Sequence, residues 1–300
     1  MRHMPLSNIT SQEVNVISKA SPFQFRHFLN PLHLLRILIR YRELLGRFIW
    51  WEVKNRYRGA ALGMLWTIIV PLLRIAVYVL VFAVLLGGKK TTWHLDSNYE
   101  VGAMIFCGFV MFNVFADAAG KGPMLLWENQ TYVKNVVFPI EIVPVIATGV
   151  AVVHSLIGVA VLVFLELFRG GHVHWTLVYL PLMYIQLVFF VAGLCYFLST
   201  LGVFNRDINN LMQSLIQILF FLSAIVFPFK RLMTLIPKEW EWVIRVSILP
   251  SIVDDARRVI LEGQPPDWFW LNVNLLLTFI LLLVGYACFM SYKRDFADVI

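Results

Sequence analysis

Long apolar stretches separated by short polar segments dominate this chain. A helix needs about 20 apolar residues to cross a bilayer core of roughly 30 Å. Six stretches are candidates, namely Met64–Leu86, Val101–Ala119, Ile140–Phe168, Trp175–Phe204, Leu211–Phe227 and Trp268–Met290. The second is the weakest because Asn113 and Asp117 interrupt it, and the fifth is short and ends at Pro228. The pattern predicts an all-α membrane protein with six transmembrane helices.

A different pattern precedes the first stretch, over residues 33–60. Basic side chains fall on one side of a helical wheel and apolar ones on the other, namely Arg36, Arg40, Arg47, Lys54 and Arg58 against Leu34, Leu38, Tyr41, Leu45 and Phe48. Such a helix suits the membrane interface, with Trp50 and Trp51 at headgroup depth. We expect an N-terminal cytoplasmic interfacial helix. It either sets the topology or also collects anionic headgroups or docks a partner, and these roles are compatible.

Residues 121–139, between the second and third stretches, are too long for a turn and too polar to insert. Pro123 can open a helix, and a helix does not continue into Pro139. This segment is interpreted either as a lever for a soluble partner or as a passive amphipathic connector.

Residues 240–263 lie between the fifth and sixth stretches. Ser251 with Asp254 resembles a helix N-cap and its acidic partner, and Gly263 with the prolines that follow it ends the helix. A helix of this length reaches about half of a bilayer. We expect two outer re-entrant half-helices, and a surface helix on the outer leaflet is the alternative.

Composition and charge agree with a membrane domain. Hydrophobic residues make up 59% of the chain and charged residues 14%, whereas soluble domains carry about 25% charged residues. The three cysteines each lie alone in a different apolar stretch, so we expect neither a disulfide framework nor a thiolate metal site.

Orientation follows from the basic residues. Residues 1–63 contain ten Lys and Arg against three acidic residues, whereas residues 228–267 contain six of each sign. The positive-inside rule places both termini in the cytoplasm. Residues 1–32 then form an N-terminal cytoplasmic extension, and residues 33–300 form the transmembrane domain.

Candidate chemistry is sparse. Gly87-Gly88-Lys89 lacks the first glycine of a phosphate-binding loop, so we expect no ATP hydrolysis by this chain. We also expect no catalytic residue and no metal site. His154, within the third stretch, is interpreted as a hydrogen-bonded structural histidine.

One charged residue lies deep in the first stretch. Arg74 there costs about 3 kcal/mol on insertion scales, so it should face a cavity, a partner chain or an anionic ligand. Large rings accompany it, namely Trp66, Tyr78, Phe82, Phe106, Phe109 and Phe112. Aromatic rings usually pack against each other, but they also stack on sugar faces.

Four short motifs, in the expected order, resemble those of permeases of ATP-binding-cassette exporters for O-antigen, capsule and teichoic acid. They are Arg56-Tyr57-Arg58-Gly59 with Leu62-Gly63-Met64-Leu65-Trp66 and Pro71; Asn129 with Val133-Lys134-Asn135-Val136 and Phe138-Pro139; Asn205-Arg206-Asp207-Ile208; and Phe221-Leu222-Ser223 with Phe227-Pro228. Asn135 replaces the usual second lysine, and Leu249 precedes Pro250 where the family usually has asparagine.

The resemblance implies a homodimer in the bacterial inner membrane, paired with two copies of a cytoplasmic ATPase subunit that binds ATP and Mg. The cargo would be a lipid-linked polysaccharide, leaning towards O-antigen, and the remaining contacts would be membrane lipids, with no nucleic acid. The implied roles are lipid phosphate binding by Arg56, Arg58 and Arg74, coupling by Asn129 and Lys134, and outer gating by Pro250, Ile252 and Ile260. The aromatic rings would line the glycan channel.

Two other functions are possible from the residues alone. A membrane enzyme acting on lipid-linked sugar would need an acidic cluster, for which Asp254–Asp255 is the candidate. The neighbouring Arg257–Arg258 suggests ordinary ion pairing instead. A gated channel is the third possibility.

Overall fold

The computed structural model describes residues 30–56, 58–81, 98–131, 138–168, 173–225 and 245–300. Most of the predicted N-terminal extension, Phe82, Lys134 and residues 240–244 of the predicted gate lie outside the described residues. Within these ranges the chain is helical and contains no strand. The helices are α1 Pro31–Arg40, α2 Arg42–Asn55, α3 Trp66–Tyr78, α4 Asn98–Lys121, α5 Leu125–Glu128, α6 Val143–Phe168, α7 Leu180–Phe204, α8 Asp207–Leu222, α9 Ile248–Ile260, α10 Trp268–Tyr292 and α11 Phe296–Val299.

Four helical stretches of the described chain are long and apolar enough to cross a membrane. They are Tyr99–Glu128, Ile140–Phe168, Trp175–Phe204 and Trp268–Tyr292. Each corresponds to a predicted span, and two have the predicted bounds. The predicted first span contains the shorter helix α3, of 13 residues. The predicted fifth span overlaps α8, of 16 residues, which begins four residues earlier, at Asp207.

The predicted second span, the weakest by composition, is the most buried one. In Tyr99–Glu128, 72% of the apolar window is buried inside the protein, against 39% in Ile140–Phe168. A helix enclosed by other helices can carry polar side chains that a lipid-facing helix cannot. Asn113 and Asp117 accordingly line an internal cavity.

Glycine lets two of the long helices pack at close range. A Cβ atom at Gly285 of α10 would overlap the carbonyl oxygen of Gly193 of α7. Small residues at such contacts let membrane helices approach each other backbone to backbone. Phe189 of α7 and Phe279 of α10 contact each other in the same helix pair, with ring centroids 5.5 Å apart.

The predicted interfacial helix is broken in two. The chain turns at Tyr41, between α1 and α2, and α2 ends at Asn55. A single helical wheel therefore does not extend across residues 33–60, and Arg58 lies beyond the helix. The apolar side still packs inward, since Leu34 and Leu45 are buried, whereas Trp50 and Trp51 are 54% and 56% exposed.

The segment after α4 is helical but does not project from the protein. Its single turn Gly122–Met124 and the short α5 pack on α7, and Leu125 and Leu126 are buried. The segment interpreted as either a lever or a passive connector is thus, over its described residues, helical and packed against α7.

The helix α9 begins earlier than predicted. It starts at Ile248 after the extended Ser247, and Pro250 occupies its first turn, where a missing N–H costs nothing. Ser251 is not the N-cap; its Oγ accepts a hydrogen bond from Asn274 Nδ2 at 3.0 Å. Gly263, with φ of 64°, follows the end of the helix as predicted. Most of α9 is buried within the protein.

Candidate functional site

A cavity of about 300 Å³ lies between α3, α4 and α6. Arg74 reaches it from α3, Asn113 and Asp117 from α4, and His154 from α6, while Arg56 reaches it from the end of α2. The cavity thus collects polar side chains from helices that are otherwise apolar.

Arg56 forms an ion pair with Asp117, the acidic residue that lines this cavity. Its Nη1 atom lies 3.3 Å from Asp117 Oδ2 and 3.1 Å from His154 Nδ1. A guanidinium can only donate, so the His154 Nδ1 atom accepts this bond. The prediction that His154 is hydrogen-bonded is confirmed. The side chains of Arg56 and Asp117 are 44% and 36% exposed, so incoming groups can reach the ion pair.

Arg74 lies against an aromatic face. Its guanidinium carbon is 4.7 Å from the centroid of the Phe109 ring, which is within the range of a cation–π contact. The Phe109 ring in turn contacts Tyr78, at 5.5 Å between centroids. Arg74 was expected to face a cavity, a partner chain or an anionic ligand. Within the described residues it lines a cavity.

The predicted channel aromatics occupy different surroundings. Trp66 and Tyr78 are half-buried, and Phe106 lines the cavity. Phe112 is only 2% exposed and contacts Phe115 and Phe220 edge-on, so in this conformation it is a packing residue and not a channel surface.

Asn129 and Trp127, a residue that the sequence analysis did not single out, organise the segment after α4. Asn129 Nδ2 donates to Leu125 O at 2.8 Å, which satisfies a carbonyl of the single-turn helix α5. Trp127 Nε1 donates to Gly202 O at 3.1 Å, and the Arg206 guanidinium lies 3.8 Å from the centroid of the Trp127 ring. Trp127 and Gly202 are 75 residues apart, and no local spacing signals their contact.

Arg257 of α9 is buried and bonded to the backbone. Its Nε donates to Met104 O at 2.8 Å, its Nη1 to Ala224 O at 2.7 Å and its Nη2 to Ile225 O at 2.6 Å. These backbone bonds were not expected from the sequence, which predicted ion pairing of Arg257 and Arg258 with the neighbouring acidic residues. The Arg257 guanidinium thus donates hydrogen bonds to three backbone carbonyl oxygens.

The remaining residues of the predicted gate are also buried. Pro250, Ile252 and Ile260 pack inside the protein, and Asp255 accepts a hydrogen bond from the Asp267 N–H at 3.0 Å. Asp255 is only 3% exposed. The acidic pair is thus a poor candidate for the catalytic centre of a membrane enzyme.

Comparison with known proteins agrees with this architecture. The O-antigen export system permease protein RfbA of Myxococcus xanthus is 25% identical over 271 residues, which cover 90% of this chain and 100% of that protein. An RfbA permease of Klebsiella pneumoniae is 24% identical over 83% of this chain and 92% of its own length. The polysialic acid transport protein KpsM of Escherichia coli is 24% identical over 81% of this chain and 91% of its own length.

Residues 43–261 match the family described as ABC-2 type transporter. This range runs from the start of α2 to just past the end of α9, so it contains both the cavity and the Arg257 contacts. The chain belongs to the membrane-protein family of ABC-2 type transporters.

Proposed function

We propose that this chain is the transmembrane subunit of an exporter that moves a lipid-linked polysaccharide across the bacterial inner membrane. A separate ATPase subunit powers it. The observation that carries this proposal is the match with export permeases over nearly the whole chain, 90% in the Myxococcus xanthus relative. The O-antigen and polysialic acid named for the relatives point to a long glycan as cargo.

The proposed topology has six spans and cytoplasmic termini, with α3 and α8 contributing to the first and fifth. The proposed assembly is a homodimer. The surface of α3 supports an assembly or a lipid environment, since Ile75 is its only buried residue and Leu72, Leu73 and Val77 are exposed. Such apolar surface needs a covering that water does not supply.

The cavity is proposed to receive the phosphate-bearing lipid end of the cargo. Arg56 and Arg74 both line it, and Arg58 lies exposed two residues beyond Arg56. A guanidinium binds phosphate oxygens in bidentate fashion. The Arg56–Asp117 pair is exposed enough for a phosphate to compete with the carboxylate.

The segment from Lys121 to Pro139 is proposed to couple the ATPase to transport, with Asn129 and Lys134 at its centre. The helix α9 is proposed to be a re-entrant outer gate, with Pro250, Ile252 and Ile260 on its buried surface. The burial of α9 supports this gate, because irregular or half-crossing backbone is tolerated at membrane depth only inside protein.

The proposed function is tested by separating the subunits. Purified alone, the chain is expected to hydrolyse no ATP; co-expressed with its partner, it is expected to form a complex with two copies of each subunit. ATP turnover and native mass spectrometry measure these outcomes. ATP turnover by the isolated chain, or unchanged surface polysaccharide in cells lacking the chain, would contradict the proposal.

A further inference from the structure

We infer that α8 is a rigid link that joins the coupling segment to the gate helix, with Arg206 and Arg257 as the positioning residues at its two ends. The coupling segment means residues 121–131 here, and the gate helix is α9. The inference rests on the proposed function and assigns a route by which ATPase movement would reach the outer gate.

The first end of α8 is fastened to the coupling segment and to the end of α4. Arg206, directly before α8, lies over the Trp127 ring, at 3.8 Å from its centroid. Gln213 Nε2, near the middle of α8, donates to Gly120 O at 3.0 Å. A Cβ atom at Gly120 would lie 3.1 Å from the Ile216 side chain, so the two helices are already in close contact there. Movement of Trp127 would therefore act directly on α8.

The other end of α8 is fastened to the gate helix. Beyond Leu222, Ala224 has a φ of 58°, a left-handed conformation that ends the helix. The carbonyl oxygens of Ala224 and Ile225 both accept hydrogen bonds from the Arg257 guanidinium. The Nε atom of Arg257 also donates a hydrogen bond to Met104 O of α4. Arg257 is 3% exposed, so water does not compete for these bonds.

One face of α8 packs against the core through the partly buried Ile216, Leu219 and Phe220, and the other face is exposed. Met212 is its only buried residue, and Leu211, Leu215 and Ile218 are exposed. The 16 residues of α8 span about 24 Å as one continuous helix. A continuous helix with contacts at both ends and one exposed face moves as a unit. Movement of the coupling segment would therefore change the position of Arg257 and, with it, of the gate helix.

Amide hydrogen exchange of the purified full-length chain tests this link without the ATPase or any polysaccharide. Arg206→Gln removes the cation from the Trp127 ring, a contact equivalent to about a two- to fivefold change in a local opening equilibrium. We expect exchange to rise by this factor in α5 and, at the far end, in residues 223–225 and α9. Arg206→Lys keeps a cation on the ring and should restore wild-type exchange at both ends. Arg294→Gln, at an exposed arginine in the C-terminal turn, should change neither.

A rise confined to α5 and the first turn of α8 would overturn the inference, and so would equal far-end exchange in the Arg206→Gln and Arg206→Lys variants. Because Arg206 is exposed, both variants are expected to fold. Failure of the proposed function would instead appear as normal polysaccharide export in cells without the chain, which leaves the exchange result unaffected.

Discussion

At the scale of single residues, three arginines show how this protein accommodates charge among apolar helices. Arg257 donates to three backbone carbonyls, and Arg56 donates to Asp117 and His154. Arg74 has the face of the Phe109 ring as its neighbour at 4.7 Å, which leaves its donors available to the cavity. A cation–π contact is weaker than a set of charge-assisted hydrogen bonds. These contacts support the proposal that Arg74 binds the phosphate end of the cargo.

We expect Arg74→Ala to assemble normally but to lose export. Arg74→Lys should be partly active, because lysine keeps the charge but not the planar fork that binds phosphate in bidentate fashion. Surface polysaccharide per assembled complex is the measurement. Arg294→Ala, at an exposed arginine in the turn before α11, serves as the control and should export normally.

Two other results at Arg74 would redirect the interpretation. A lower yield and lower thermal stability of the Arg74→Ala complex would indicate that Arg74 bonds backbone carbonyls at a dimer interface. A stable, fully exporting Arg74→Ala variant would contradict both roles.

At the scale of helices, close backbone approach decides which elements are joined. Gly202 of α7 has no room for a side chain, because a Cβ atom there would overlap the carbonyl of Pro123. The same Gly202 accepts the Trp127 hydrogen bond. A Cβ at Gly122 would meet Leu198 at 3.0 Å. These contacts join the coupling segment to the end of the fourth span.

Gly202→Ala is expected to destabilise the protein by about 1–3 kcal/mol, the usual cost of overpacking a tight contact, and to weaken coupling of ATP hydrolysis to export. Thermal unfolding of the purified chain and polysaccharide exported per ATP hydrolysed measure the two effects.

The matched control is Gly46→Ala in α2, where nothing lies within 4 Å of the added Cβ. That change should stabilise the chain by about 0.5–1 kcal/mol, because alanine loses less conformational freedom than glycine in a helix. Equal stability of the two alanine variants would show that the Pro123 contact is relieved at little cost.

At the scale of the whole molecule, the cavity and the gate helix both contact the same buried helix, α4. Asp117 of α4 meets Arg56, whereas Met104 of α4 meets Arg257 thirteen residues earlier in that helix. The buried helix α4 therefore contacts both the cavity proposed to receive the lipid phosphate and the helix proposed to close the outer gate.

Cysteines at Ile252 and Ile260 test the gate. Both positions are buried, at 2% and 4% exposure, so a bulky membrane-impermeant thiol reagent should label them poorly at rest and faster during ATP turnover. The background needs Cys107, Cys195 and Cys288 replaced. Rapid labelling in both states would indicate a surface helix on the outer leaflet.

Much of the architecture was predictable from the sequence, because apolar run length is a local property. Two predicted spans, Ile140–Phe168 and Trp175–Phe204, have the bounds of the observed helical stretches. The sixth differs by two residues at its end, Met290 against Tyr292. Short motifs around Arg56, Asn129 and Arg206 were enough to suggest the family that the match over residues 43–261 then showed.

Tertiary structure alone decided which polar residues meet. The burial of α4, the Arg257 bonds to Ala224 and Ile225, and the contact of Trp127 with Gly202 join residues far apart in the chain. The early start of α9 at Ile248 likewise depends on its packing. Hydropathy and periodicity describe what one helix needs from its surroundings, whereas helix packing decides whether lipid, a backbone carbonyl or a side chain from another helix supplies it.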